Sequence, residues 1–304
     1  MGRVLQDFAF LPRDDYGRKL KLLSDMAEPE DWDFNIKNEE LDCQVNSSSQ
    51  SYPILRSYLR YTFQRLDEEQ KILYDTENEH SAEHACFNTG LLARETGEPI
   101  FGLFQVNGNY RQDPSRKLLK WHLSGFFQRS DQSFTKKFSG LPQVARYVNF
   151  QNVEDFSNYV YNPELEVKMP PLSYYEDHIL GQRRSRFPEE FQEIPDRFKK
   201  MVFDQALQNA VDLARQSNRI ALPQWRPKQQ QLQILLPLYL EENKLEASVA
   251  LPIQTQGNLY IVRTVLSLDL AYNNARLLSK FYSNWLQPIQ SDDENEELLD
   301  TEEY

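Results

Sequence analysis

Two spacings of apolar residues alternate along this chain. From Tyr52, "YPILRSYLRYTFQRLDEEQ" repeats apolar side chains at three- and four-residue steps: Ile54, Leu55, Tyr58, Leu59, Phe63 and Leu66. That spacing predicts a helix near residues 53–67 with one buried face. Pro53 suits its first turn, and Arg56, Arg60 and Arg65 fall off the stripe. The period then shortens. "KILYDT", "ACFNTGLLAR", "EPIFGLFQVN" and "KLLKWHLSGFF" are short apolar runs bounded by turn residues, which predicts strands. Glu95-Thr96-Gly97-Glu98 reads as a hairpin connection. Pro142, Pro163, Pro170 and Pro171 mark a middle region of loops and short elements.

From Pro195, "PDRFKKMVFDQALQNAVDLARQSN" is the longest helical pattern, near residues 195–217. Phe198, Met201, Val202, Ala206, Ala210, Val211 and Ala214 supply its expected stripe. Strand-like blocks follow: "QLQILLPLYLEE", "LEASVALPIQTQ" and "NLYIVRTVLSL", the last two joined across Gln256-Gly257-Asn258. "DLAYNNARLLSKFY" then predicts a short helix with Asp269 as N-cap. No internal repeat recurs at a fixed period. Strand blocks on both sides of a long helix predict an α+β fold, with a largely antiparallel sheet of several strands packed against the two helices.

The first fifty residues are mixed. "DDYGRKLKLLSDMA" opens a short amphipathic helix with Leu20, Leu22 and Leu23 on one side, and "QVNSSSQS" at 44–51 reads as a linker. The expected organisation is an N-terminal extension with linker (1–50), a single α+β domain (51–288) and a disordered acidic tail (289–304).

Charge narrows the partners. The chain of 304 residues has a net charge of −12, but "SDDENEELLDTEEY" holds eight acidic side chains and no basic one. The rest is only mildly acidic. A pI near 5 argues against dense phosphate binding over the whole surface, and leaves room for a local basic groove. Hydrophobic residues make up 40%, enough for a sizeable core, yet no window approaches a membrane-spanning stretch. The N-terminus lacks the apolar run and cleavage site of a signal peptide, and two cysteines, Cys43 and Cys86, make no disulfide framework. The expectation is a soluble protein of a reducing cytoplasm.

Several pieces in order, "FNTGLL", "LP...RY", "HIL....RFP", "LLPLYL" and "LSLDLAYNNARLL" followed by "NWL", resemble an uncharacterised bacterial family. It is catalogued as a domain of unknown function, and its members are often fused to a cold-shock domain. The resemblance runs from about Tyr52 to about Leu286. Fusion to modules that bind single-stranded nucleic acid implies work on RNA. No RNP-like aromatic strand motif stands out in residues 1–50.

The candidate chemistry is spread along the chain. Asn88-Thr89-Gly90 interrupts a strand pattern with an amide, a hydroxyl and bare backbone, either a polar clamp on a base, sugar or phosphate or a bulge closed on its own backbone. His80 and His84 lie four apart, but spacing fixes no third ligand, so no metal site is assigned, and no cofactor either. His122 alternates with Trp121, so one of the two faces the core. His178 precedes Arg183, Arg184 and Arg186, a set suited to clamping an anion beside a proton-transfer group. The plain alternative is a surface helix end. Asp269, Tyr272, Asn273, Asn274 and Arg276 crowd one helix, where adjacent asparagines need a cap, a buried network or a ligand to explain them. Cys86 beside Phe87 reads as a small buried apolar residue.

Three functional readings follow. The first is an RNA- or nucleotide-binding or processing module. Its site combines Asn88 and Thr89, His178 with Arg183 and Arg186, and Asn274 with Arg276: Asn and Thr read a base or ribose edge, Arg holds phosphate, and Trp121 or Tyr272 stacks a base. Its partner is single-stranded RNA or a nucleotide. The second is a phosphodiester or pyrophosphate hydrolase using His178, with His122, as acid or base. The third is a non-enzymatic scaffold that offers the acidic tail to a protein partner.

Overall fold

In the computed structural model the described residues are 2–30, 32, 52–112, 118–169, 171–241, 246–280 and 285–286. The expected linker at 44–51 (apart from its neighbour Tyr52), Cys43 and the expected acidic tail at 289–304 lie outside them. The fold is α+β. The chain divides into two compact units, Met1–Tyr147 and Val148–Tyr304.

The first unit runs α1 (Leu5–Phe8), β1 (Ala9–Phe10), α2 (Arg13–Met26), α3 (Pro53–Glu68), β2 (Leu73–Tyr74), β3 (His84–Leu92), β4 (Pro99–Val106), α4 (Gly108–Gln112), β5 (Trp121–Gln128) and α5 (Gln132–Thr135). Its five-stranded sheet has the order β1-β5-β4-β3-β2. Every pair is antiparallel except β1 with β5. The expected helix near 53–67 is α3, and all six residues of its predicted stripe are buried. They pack on aromatic side chains of one sheet face. Phe63 meets Phe87 edge-on with ring centroids 5.2 Å apart, and Phe8 stacks on Trp121 at 5.7 Å. On the opposite face Cys86, Phe101 and Leu103 pack under Phe134 and Phe138. Covered on both sides, the middle of β3 is continuously buried rather than alternating, which is why its sequence reads as an unbroken apolar run. In α2, Leu20 and Leu23 are buried but Leu22 is 64% exposed. At 100° per residue Leu22 points roughly 160° away from Leu20.

A polar clamp ties the N-terminal residues to this sheet. The Arg3 guanidinium donates to Glu79 Oε1 and Oε2, both at 3.0 Å, and to Asp67 Oδ1 at 2.8 Å. Glu79 also accepts from Trp121 Nε1 at 3.1 Å and Tyr74 OH at 3.2 Å. Burial opposes ionisation of Glu79, but the hydrogen bonds from Arg3 and Trp121 outweigh it and hold the carboxyl below its ordinary value.

The second unit runs α6 (Val153–Tyr159), β6 (Glu166–Lys168), α7 (Leu172–Tyr174), a π-helical stretch (Tyr175–Gln182), a 3₁₀ turn (Arg184–Arg186), α8 (Glu189–Glu193), α9 (Asp196–Gln216), β7 (Leu222–Arg226), β8 (Gln231–Leu238), β9 (Val249–Gln256), β10 (Leu259–Val262) and α10 (Leu268–Arg276). Its sheet has the order β6-β10-β9-β8-β7, again antiparallel except for its first strand on its last. The long helix α9 lays Phe203, Ala206, Leu207, Ala210, Val211 and Ala214 on Ile234, Leu236, Leu251 and Ile253. Phe198 and Met201, expected in that stripe, are 41% and 64% exposed. They lie roughly 140° and 160° around the helix from Phe203. Both predicted turns hold: Gly97 and Gly257 have φ of 67° and 62°, the left-handed region that glycine enters without a Cβ penalty. At α10 the N-cap position is Ser267, and Asp269 sits inside the first turn.

The two units share one topology. In each, a first strand leads through helices to a four-stranded antiparallel meander, whose last strand pairs parallel with the first. The chain repeats a fold without repeating a sequence.

Two predictions concern the first unit. A Cβ on Gly102 would lie 2.1 Å from Phe87 Cε1, across the β3–β4 pair. Gly102→Ala is expected to destabilise the protein by about 1–3 kcal/mol, seen as a lower urea midpoint at unchanged slope. Glu79 has a folded-state pKa below the ordinary 4.5, so its contribution is fully present above pH 4.5 and is lost as pH falls through the lower folded value. Glu79→Gln is therefore expected to lower the urea midpoint at neutral pH, and its difference from wild type should shrink as the pH drops below 4.5.

Candidate functional site

Asn88-Thr89-Gly90 forms a bulge in β3, where the pairing with β4 shifts register between Asn88 and Leu92. Asn88 Nδ2 donates to the Pro142 carbonyl at 3.1 Å, and its Oδ1 accepts from the Gly90 amide at 2.9 Å. Thr89 Oγ1 donates to the Ile100 carbonyl at 2.7 Å and accepts from the Leu91 amide at 3.1 Å, while Tyr58 OH donates to the Thr89 carbonyl at 2.9 Å. Gly90 has φ 76°, and a Cβ there would lie 2.7 Å from Tyr58 OH. Thr89 is fully buried and Asn88 is 7% exposed. These bonds favour the structural reading of the motif: the side chains close the bulge on α3 and on neighbouring backbone.

Trp121 and His122 take opposite faces of β5, as strand alternation requires. Trp121 is buried, stacked on Phe8 and bonded to Glu79, so neither ring face is open to a base. His122 lies on the other face, with Nε2 3.6 Å from Asp15 Oδ2. Burial, and then the Lys19 ammonium, lower its pKa below the ordinary 6.5. His80 sits in a turn whose amides are capped by Asn78, and His84 begins β3 beside Asp75. Cys86 is fully buried and its thiol pKa is pushed up by burial.

The remaining candidates belong to the second unit. His178 is carried on the π-helical stretch, its Nδ1 2.9 Å from Gln182 Oε1 and its ring 4.8 Å from that of Tyr174. Arg183 and Arg186 follow at the 3₁₀ turn. Arg186 is buried, its guanidinium donating to the Val265 carbonyl and, at 3.4 Å, to Thr264 Oγ1. Arg226, at the end of β7, joins them. Burial and the charge of Arg226 lower the pKa of Arg186 to about 10. Burial and the charge of Arg183 lower that of Arg226, with Tyr174 acting in the opposite sense. Arg226 thus lies within electrostatic reach of both Arg186 and Arg183.

Asn274 is joined to the same strand. Its Nδ2 donates to Gln224 Oε1 at 3.1 Å, and Gln224 Nε2 donates to Gln233 Oε1 at 3.1 Å. Both glutamines are buried, and Gln224 shares a face of β7 with Arg226. Asn273 Nδ2 returns to the Asp269 carbonyl at 2.9 Å, one turn back. Tyr272 is buried at 8% exposure and Arg276 is half-buried in the last turn of α10. The adjacent asparagines therefore have a network to explain them, reaching from α10 into the sheet.

The structure brings Arg183 and Arg186 together and adds Arg226, which the sequence reading did not single out. Its only sequence signal is the two-residue alternation of Gln224 and Arg226 in "LPQWR". Asn88, Thr89, Trp121 and His122 belong to the first unit, and His178, Arg183, Arg186, Tyr272, Asn274 and Arg276 to the second. Among the described residues no group of three or more His, Cys, Asp or Glu side chains could hold a metal ion. No helix among them is long and apolar enough to cross a membrane.

Compared with known proteins, the chain matches the model of the family described as Domain of unknown function (DUF3825) over residues 23–285. No curated protein matches it, and no solved structure does. The match takes in α3, α9, α10 and every strand but the first, and the chain belongs to the DUF3825 family.

Proposed function

We propose that the protein binds RNA or a nucleotide, and that Arg183, Arg186 and Arg226 take its phosphate. What supports this reading is the gathering of Arg183, Arg186 and Arg226 in the second unit, where burial first, and then the charge of Arg226 on Arg186 and of Arg183 on Arg226, disfavours the charged guanidinium. Like charges held together and wholly or partly buried are costly, and the cost falls when an anion enters among them. A guanidinium matches phosphate in charge and in its forked geometry. Tyr174, which acts on Arg226, and His178 beside it add an aromatic ring and an imidazole to the same neighbourhood. Gln224, on the same face of β7 as Arg226, and Asn274, bonded to Gln224, contribute amide groups. The resemblance to bacterial proteins fused to cold-shock domains points the same way, and the same reading assigns the protein to the cytoplasm.

The test is binding of labelled single-stranded RNA and mononucleotides by the full chain at low and moderate salt. Arg183→Ala and Arg226→Ala are each expected to weaken binding about tenfold or more, the loss expected for a charge-assisted hydrogen bond. Affinity should also fall as salt rises. Asn88→Ala should lower stability and leave the affinity of the folded fraction unchanged. A folded wild-type protein that binds no member of the panel would sink this reading.

A further inference from the structure

The first unit leaves one row of its sheet open. Phe10, His122, Gln105 and His84 are direct cross-strand partners on β1, β5, β4 and β3. Their side chains therefore share one face, the one opposite α3. Phe134 and Phe138 cover another part of this face. Along the row Phe10 is 48% exposed, Gln105 is exposed, and the two imidazoles each keep 27% side-chain exposure.

Each histidine is oriented by an aspartate and flanked by a lysine. His84 Nδ1 lies 2.8 Å from Asp75 Oδ2, and Lys137 Nζ lies 2.7 Å from His84 Nε2. An ammonium only donates, so Nε2 accepts and the ring proton sits on Nδ1, facing the carboxylate. Asp75 is itself held by the amides of Glu83 and His84 at 3.1 and 3.0 Å. In the chain Lys137 lies between two anchored residues, Phe134 stacked on Phe101 at 4.6 Å and Phe138 at 5.4 Å from Phe134, and its amide donates to the Phe134 carbonyl at 3.0 Å. At the other imidazole, Nε2 faces Asp15, which is bonded to Lys19 one turn along α2 and lies 3.9 Å from Arg18. Nδ1 of His122 has no hydrogen-bond partner among the described residues. The two histidine Cα atoms are two strand spacings apart, about 10 Å. Lys137, bonded to His84, therefore stands on the same face as His122, across the β4 strand.

We propose that this row is an acid–base site that cleaves RNA at a phosphodiester by way of the RNA's own 2′-hydroxyl. It rests on the reading of the protein as an RNA binder and adds a reaction and a place to it. His122 Nδ1 takes the 2′-hydroxyl proton. The 2′-oxygen bonds to phosphorus as the bond from phosphorus to the 5′-oxygen breaks, and Lys137 Nζ gives a proton to the departing oxygen. The products are a 2′,3′-cyclic phosphate end and a 5′-hydroxyl end. His122 is left protonated and Lys137 neutral, and solvent restores both. Phe10 offers an exposed ring for a neighbouring base, and Gln105 an amide between the two histidines. His84 and Asp75 are positioning residues that hold Lys137. Depression of the His122 pKa by burial and by Lys19 leaves this imidazole neutral, and so able to accept a proton, at neutral pH.

The test uses the full chain and a labelled oligodeoxynucleotide carrying a single ribonucleotide, with the all-deoxy strand beside it. Cleavage at the ribonucleotide alone, ending in a cyclic phosphate, is the expected result. His122→Ala, His122→Gln and Lys137→Ala should each slow it roughly 10²-fold or more. Asp75→Asn should lower kcat with little change in KM. On the acid side the rate should rise with pH through a value below 6.5, with Asp15 and Lys19 of α2 as the charged groups facing His122 and Arg18 beside Asp15. Arg226→Ala should weaken binding of the same strand. RNA that binds without being cleaved, or cleavage that folded His122 variants leave unchanged, overturns this inference alone. Absence of both binding and cleavage overturns the proposed function as well.

Discussion

Each unit depends on one burial: the apolar stripe of a single helix closing on one face of a five-stranded sheet. In the first unit Phe63 of α3 wedges against Phe87 and Phe104. In the second, the small residues Ala206, Ala210 and Ala214 let α9 lie close on Ile234, Leu236 and Ile253. Burial of apolar surface supplies the driving force, and the geometry of strands does the rest. Successive side chains point to opposite faces, so a helix that claims one face consigns the alternate residues to the other. His84, Gln105 and His122 are the residues so consigned in the first unit, and Gln224, Arg226 and Gln233 in the second.

That rule explains why both candidate sites lie opposite the long helix of their own unit. It also explains the difference between the two polar faces. In the second unit Gln224 and Gln233 are fully buried and answer one another and Asn274 in a closed chain of amides, with Arg226 at its end. In the first, the row of Phe10, His122, Gln105 and His84 is open, and its polar groups are held from the side by Asp75, Lys137 and Asp15. A side chain whose hydrogen bonds are closed internally contributes rigidity. One that is oriented but still exposed can act on something else.

The shared strand order also constrains the chain. The first strand of each unit pairs parallel with the last, so β1 and β6 are short strands tied to partners distant in sequence, across the helices and the meander. In the first unit the Arg3–Glu79–Asp67 clamp reinforces that closure. The same topology arises twice without a fixed-period sequence repeat, on a shared pattern of an apolar helix stripe followed by four strands.

Much of this was legible in the residues alone. The stripes of α3 and most of α9, the strand blocks, the hairpins at Gly97 and Gly257, and the α+β class follow from periodicity and turn chemistry, which act over a few neighbouring residues. The errors are local too: Leu22, Phe198 and Met201 are apolar and near a stripe, but the helical angle turns them to solvent. Two bland readings of candidate residues, a buried Cys86 and a bulge at Asn88-Thr89-Gly90, agree with the bonds and burial observed. The duplication, the approach of Arg226 to Arg183 and Arg186, and the Asp75–His84–Lys137 chain were not legible. Each joins residues far apart in sequence through strand register and helix packing, and spacing along the chain carries no trace of such contacts. The amino-acid sequence by itself determined which segments are helix or strand and which faces they bury. Only the tertiary structure decided which polar side chains meet, because a charge or a hydrogen bond acts across space, between elements that the fold alone brings within a few ångströms.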